Sequence, residues 1–204
     1  MQLQVADVVG DGGSSPTIAA CVRTLLRTVI QDTDHRRLTH QATDRAVEGV
    51  GVLLGGTGTF VTVFGVALDL ATGTLAYVLV GPGLAVVLDA DGGHHRLTSS
   101  GPALGLSPSY GTGWEVRTTV VAPGQTLLVL GDGFLDLDPD PQKQLDRTLE
   151  RVTERYQGGI GVHQAVELTT AWAVTQGHRI DITVLALRRN PGLMPGGRTT
   201  ERRG

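Results

Sequence analysis

The feature that most constrains this chain is how little sequence separates its apolar segments between residues 59 and 133. "TFVTVFGVALDL" (59–70), "TLAYVLV" (74–80) and "LAVVLDA" (84–90) are separated only by "ATG" and "GPG". "DADGG" (89–93) contains an Asp-Gly pair of the kind that closes tight hairpins. "WEVRTTVV" (114–121) and "TLLVLGDG" (126–133) flank a Pro-Gly turn. Parallel strands need crossovers of about a dozen residues or more, so these segments have to pair antiparallel.

Helical patterns bracket the strands. Residues 2–9 read as a first strand. Ile18, Cys21, Val22, Leu25, Leu26 and Val29 then recur every three or four positions, as on one face of a helix. Ser15 as N-cap and Pro16 as first helical residue open that helix, predicted over 15–31. A second, over 36–53, carries Leu38, Ala42, Ala46, Val50 and Leu53 on one face and ends at "GGTG" (55–58). Beyond the strands, Leu145, Leu149, Val152 and Tyr156 stripe a helix over 143–157. Val162, Ala165, Val166, Thr169 and Ala173 stripe another over 161–176, and "IDITVLALRR" (180–189) is a last strand. This order predicts an α+β fold, a four-layer α-β-β-α sandwich with two antiparallel sheets. The domain covers 1–189, and "NPGLMPGGRTTERRG" (190–204) is expected to be a disordered tail.

A content of 40% hydrophobic and 18% charged residues over 204 positions suits one globular domain. The net charge of -3 gives no basic footprint for nucleic acid. No run approaches the roughly 18 apolar residues of a membrane span, and the start lacks the pattern of a signal peptide. A cytoplasmic protein is therefore expected. The single Cys21 excludes an internal disulfide and a cysteine-built zinc site, and its place in the apolar stripe predicts a buried thiol.

Three aspartates carry the chemical interest. Asp7 halts the apolar run of residues 2–9, just before the glycine-rich turn that leads to Ser15. Asp132 repeats the pattern, where "TLLVL" runs into Gly131-Asp132-Gly133. Asp181 lies between isoleucines. Burying an aspartate is costly unless a cation or strong hydrogen bonds compensate it. Acids distant in sequence can converge from strand ends on a hard cation, which prefers oxygen ligands. The same residues read equally as three unrelated turn or edge aspartates, and the pattern alone leaves both open. His94-His95 follows a hairpin turn and reads as an exposed pair facing opposite ways. "GGIG" (158–161) reads as a linker between helices, and "GGTGTF" lacks the Lys-Ser/Thr of a phosphate loop. Trp114 and Trp172 read as packing residues. No Cys-His or Ser-His arrangement suggests covalent catalysis.

"ADVVGDG", "GTFVTVFGVALDLATGTLAYVLVGPG", "GPALGL", "APGQTLLVLGDGFLD" and "IDITVLALR" occur here in one order. That order resembles the PPM-type metal-dependent serine/threonine protein phosphatases, and among them the bacterial SpoIIE-like branch of sporulation and sigma-factor control. The likeness runs over residues 3–188; its weight lies in the succession, since each motif alone is common. It implies that Asp7 bridges two Mn2+ or Mg2+ ions, that the Val8 carbonyl also contacts metal, and that Asp132 is a further ligand. Asp7 and Asp132 are then the catalytic pair, and Asp136 is a supporting acid beyond the second motif. The implied reaction is hydrolysis of phosphoserine or phosphothreonine on a regulatory protein, such as an antagonist of an anti-sigma factor.

The chain also departs from that pattern. Gly131 replaces a threonine, Gly81-Pro82 stands for the usual Gly-His, and the upstream Gly-Gly-Asp segment has no counterpart. Ile180 occupies the position of a ligand aspartate, and Asp181, one place along and so on the opposite sheet face, replaces it only through a bulge or register change. One of the two ions is accordingly expected to bind weakly. The alternative is a pseudophosphatase that keeps the fold as a phosphoprotein-binding or regulatory module. A strand over residues 2–7 without an upstream neighbour leaves an open sheet edge, a route to a homodimer.

Overall fold

Side chains alternate along the strands so regularly that they sort themselves into three separate cores. In order, the elements are β1 (Gln2–Val9), α1 (Ser15–Gln31), α2 (His40–Leu54), β2 (Phe60–Leu68), β3 (Thr74–Val80) and β4 (Leu84–Leu88). There follow β5 (His94–Leu97), β6 (Arg117–Val120), β7 (Thr126–Leu130), a 3-10 turn (Asp132–Phe134), α3 (Pro141–Tyr156), α4 (Val162–Thr175) and β8 (Val184–Arg188). The structure is a computed structural model that describes residues 1–10, 15–31, 40–55, 57–81, 84–89, 91–105, 115–134, 140–156, 161–175 and 182–190. The strands form two four-stranded sheets, ordered β1-β2-β3-β6 and β5-β4-β7-β8. Every strand pairing is antiparallel; the short links join paired strands at β2–β3 and β4–β5, but contrary to expectation β3 and β4, and likewise β6 and β7, lie in different sheets and do not pair.

Between the sheets lie Phe64, Val66 and Leu68 of β2, Leu75, Tyr77 and Leu79 of β3, and Leu127 and Val129 of β7, with Leu3, Val5, Leu185 and Leu187 at the margin. Intervening residues point outward to the helices. Val61, Val63, Val78 and Val80 meet Ile18, Val22 and Leu26 of α1 and Val47, Val50 and Leu54 of α2. On the other side, Val86, Leu88, Leu128 and Leu130 meet Leu149, Val152, Tyr156, Ala165 and Ala173 of α3 and α4. A strand buried on both faces reads as a continuous apolar run, which is why "FVTVFGVAL" shows no alternation in the sequence itself. The expected four-layer α-β-β-α sandwich is the fold observed.

Local chemistry adjusts the boundaries. α1 spans the residues expected of it, but α3 starts at Pro141 rather than 143. The Asp140 carboxylate accepts from the Lys143 amide (3.2 Å) and Pro141 fills the first helical position, a capping signal that the apolar stripe does not register. Cys21 is exposed, contrary to the expected buried thiol. Ile18, Val22 and Leu26 recur every four residues, so the buried line drifts around the helix and leaves Cys21 on its flank. His94 and His95 are exposed as expected. Trp172 packs against the α3–α4 core and stacks with Phe134, centroids 6.4 Å apart, also as expected. Trp114 and the tail from 191 onward lie outside the described residues.

Arg189 ties the two sheets together. It follows β8 of one sheet, yet its guanidinium donates to three carbonyls on the other: Ala71 (2.8 Å), Thr72 (3.0 Å) and Val121 (3.0 Å). The first two lie in the β2–β3 turn, where Asp69 Oδ1 accepts from the Ala71 amide at 2.9 Å and is thereby held below the ordinary carboxylate range. Gly73, at φ 78°, leaves the space that the guanidinium fills. Three charge-assisted bonds to carbonyls are worth more together than a surface ion pair. Arg189→Ala should therefore lower stability by about 2–3 kcal/mol. Urea unfolding should show this as a lower midpoint with an unchanged slope, and an unchanged midpoint would mean that the clamp contributes nothing.

Candidate active site

The alternation that builds the inter-sheet core also aims the site. Leu3 and Val5 of β1 point between the sheets, so Asp7, two residues on, points there too at the strand's end. Gly131 continues the inward positions of Leu127 and Val129 past the end of β7, and Thr183 precedes the inward Leu185 and Leu187 of β8. These three positions meet. A Cβ placed on Gly131 would lie 3.6 Å from Asp7 Oδ2, 3.2 Å from Thr183 Cβ and 3.6 Å from the Thr183 amide nitrogen. The Gly131 amide donates to the Thr183 carbonyl at 2.9 Å, which pins the end of β7 to the start of β8.

Asp132 follows directly, as first residue of the 3-10 turn. Chain connectivity keeps its Cα within about 9 Å of Asp7 Oδ2. Two strand ends thus bring Asp7 and the backbone of Asp132, 125 positions apart in sequence, to one end of the sandwich. Val8 turns its side chain to the helices, packing with the α1–α2 core. Its carbonyl points away from β2 and so stays outside the ladder. Thr62 stands directly across from Asp7 on β2 and is buried. Thr62 and Thr183 are site neighbours that the acid pattern alone passes over; only strand register, with its period of two, identifies them.

Hard divalent cations take carboxylate and carbonyl oxygens. The Asp7 carboxylate, aimed at space left open by the missing Gly131 side chain, and the off-ladder Val8 carbonyl fit that demand. Among the described residues no group of three or more His, Cys, Asp or Glu could hold a metal ion. Asp136, Ile180 and Asp181 lie outside the described residues, as does the Asp132 side chain.

The fold has close counterparts among solved structures. The RsbU and RsbW domains of Rv1364c from Mycobacterium tuberculosis superpose with a TM-score of 0.75 at 21% identity, over 93% of this chain and 53% of that one. The catalytic domain of the serine/threonine protein phosphatase PstP, solved with two manganese ions, superposes with a TM-score of 0.62 at 17% identity, over 91% of this chain and 86% of that one. The architecture is that of the PPM-type phosphatases. The chain belongs to the Stage II sporulation protein E (SpoIIE) family, whose profile matches residues 1–190. Protein IcfG of Synechocystis sp. is 26% identical over 140 residues, which is 67% of this chain but 22% of IcfG.

Proposed function

We propose that this chain is a metal-dependent protein serine/threonine phosphatase that hydrolyses phosphoserine or phosphothreonine on a regulatory protein, in a cytoplasmic setting. One observation carries the reading. Asp7 comes from β1 to face Gly131, the residue before Asp132, in the inter-sheet end where strand-end acids can share an ion. Family membership supports it, as does PstP, whose catalytic domain has this fold and was solved with manganese.

In this reading Asp7 and Asp132 hold Mn2+ or Mg2+ with the Val8 carbonyl, and Asp181 joins them only if a bulge or register change turns it to the site. Bound there, such cations supply positive charge for the phosphoryl oxygens and acidify a water. The chain's own residues hold the geometry. The Gly131–Thr183 bond locks two strand ends against each other, the β1–β2 ladder fixes Asp7, and Thr62 backs it. Gly131 leaves room beside the carboxylate that any larger side chain would reduce. The SpoIIE likeness points to a phosphorylated antagonist of an anti-sigma factor as the substrate class. Among the described residues no helix is long and apolar enough to cross a membrane.

The test is release of phosphate from a phosphoserine peptide by the purified chain, with Mn2+ added and then removed by chelation. Turnover should appear with Mn2+ and vanish with the chelator. Turnover that survives chelation would rule out the metal-dependent reading.

A further inference from the structure

The two acids of the candidate site are held in very different ways. Asp7 sits in a strand whose ladder with β2 runs from Gln2↔Ala67 to Val9↔Phe60. Asp132 stands beyond the end of β7, between Gly131 and Gly133. Glycine restricts its own backbone less than any other residue, so the chain on either side of Asp132 does not fix it. A ligand left loose has to be ordered when an ion arrives, and that ordering lowers affinity.

Two anchors bracket Asp132. On the strand side the Gly131 amide donates to the Thr183 carbonyl at 2.9 Å. On the far side the Phe134 amide donates back to the Gly131 carbonyl at 3.3 Å, a long bond that closes the 3-10 turn. The firmer hold there is the Phe134 side chain. It is 1% exposed and shares a core with Leu130, Leu149, Val152 and Ala173. Phe134 is two residues from Asp132, so their Cα atoms lie within about 7 Å of each other. The buried ring is a plug that sets where the backbone of the acid sits.

Trp172 backs that plug. α4 turns Ala165, Thr169 and Ala173 inward, small side chains that let the helix lie close to the sheet. Trp172, the largest side chain of α4, packs on the same core while remaining only partly buried. Its ring lies over Phe134, with centroids 6.4 Å apart and planes 25° apart. Aromatic pairs at this spacing attract each other beyond what area burial alone supplies.

We propose that Trp172 is a positioning residue for the metal site: through Phe134 it holds the turn from Gly131 to Phe134, and with it the backbone that carries the Asp132 carboxylate. The proposal rests on the reading of Asp132 as a metal ligand. It makes α4 a support for a site that β1, β7 and β8 build. Groups that orient a ligand from behind commonly matter to metal affinity almost as much as the ligand itself.

The test uses the whole chain carrying Trp114→Phe, which leaves Trp172 as its single tryptophan. Mg2+ is closed-shell and does not itself quench emission, so its binding should change Trp172 emission saturably, and Asp132→Asn should abolish the change. Trp172→Leu keeps an apolar side chain and removes the ring. Without metal it should speed hydrogen exchange at the Phe134 amide by about tenfold or more, while the Leu128 amide in the middle of its sheet keeps its protection. Calorimetric titration should show Mn2+ affinity about tenfold lower in Trp172→Leu. Trp172→Phe keeps a ring over Phe134 and should recover most of both effects. Unchanged exchange at Phe134, or Mn2+ binding as tight as in the unaltered chain, overturns the proposal. So does faster exchange at Leu128 as well, which would make Trp172 an ordinary core residue. The Phe134 amide is read without metal. A chain that binds no Mn2+ yet exchanges faster at Phe134 in Trp172→Leu would remove the phosphatase reading and leave the hold on the turn standing.

Discussion

Asp7→Asn should reduce metal-dependent phosphatase turnover by about a thousandfold, the effect of losing roughly 4 kcal/mol of charge stabilisation in the transition state. The substitution keeps size and shape and removes only the anionic charge. Asp7 ends a strand whose register with β2 is fixed by eight pairings, from Gln2↔Ala67 to Val9↔Phe60. Its side chain is half-buried, and it is not among the apolar residues that pack between the sheets. Folding stability without metal should therefore change by less than about 1 kcal/mol, as for most substitutions away from the core. Stabilisation by added Mn2+ should disappear, because an ion that binds only the folded state raises stability only while it binds. Phosphate release and urea unfolding, each with and without Mn2+, measure both effects. Asp7→Asn with undiminished turnover would remove Asp7 from the site.

The layers were readable in the sequence because turn length and hydrophobic period act locally. "ATG" joins the paired strands β2 and β3, whereas β3 and β4, joined by "GPG", lie in different sheets; the stripes of α1 and α4 follow from residues three and four apart. What escaped depends on contacts between distant segments. Cys21 belongs to an apolar stripe by spacing, yet the curvature of the buried line, set by which helix positions meet Val61, Val63 and Val78, leaves it in solvent. The Arg189 clamp joins residues 117 and 118 positions apart, and nothing near Arg189 in sequence announces it. At the site the aspartates were visible as strand-end acids, but the facing of Asp7 toward Gly131 and Thr183 requires the register of both sheets. The groove between β1 and α1, with Arg23 and Arg27 on its helix wall, appears only once α1 is laid along the strand.

Ile180→Asp should tighten binding of the weaker metal ion by about tenfold or more, since affinity for hard cations follows the number of charged oxygen ligands. Connectivity frames the expectation. Thr183 stands at the site, with its Cβ 3.2 Å from the place a Gly131 side chain would take. Position 180 is three residues earlier, so its Cα lies within about 11 Å of the Thr183 Cα. Isoleucine offers no lone pair, so the unaltered chain should hold one ion firmly and the second weakly. Turnover should be low at ordinary Mg2+ and partly restored by high Mn2+, whose affinity for a given oxygen–nitrogen site is higher. In the proposed site a carboxylate at position 180 adds like-charge repulsion toward Asp7 when metal is absent, so Ile180→Asp should be less stable as apoprotein and gain more from Mn2+. Calorimetric titration of both chains with Mn2+, paired with thermal unfolding, reads the two effects independently. Tight binding of two ions by the unaltered chain would mean that Asp181 or another acid already fills the position. In that case Ile180→Asp would add no affinity, and the weak-ion expectation would be withdrawn.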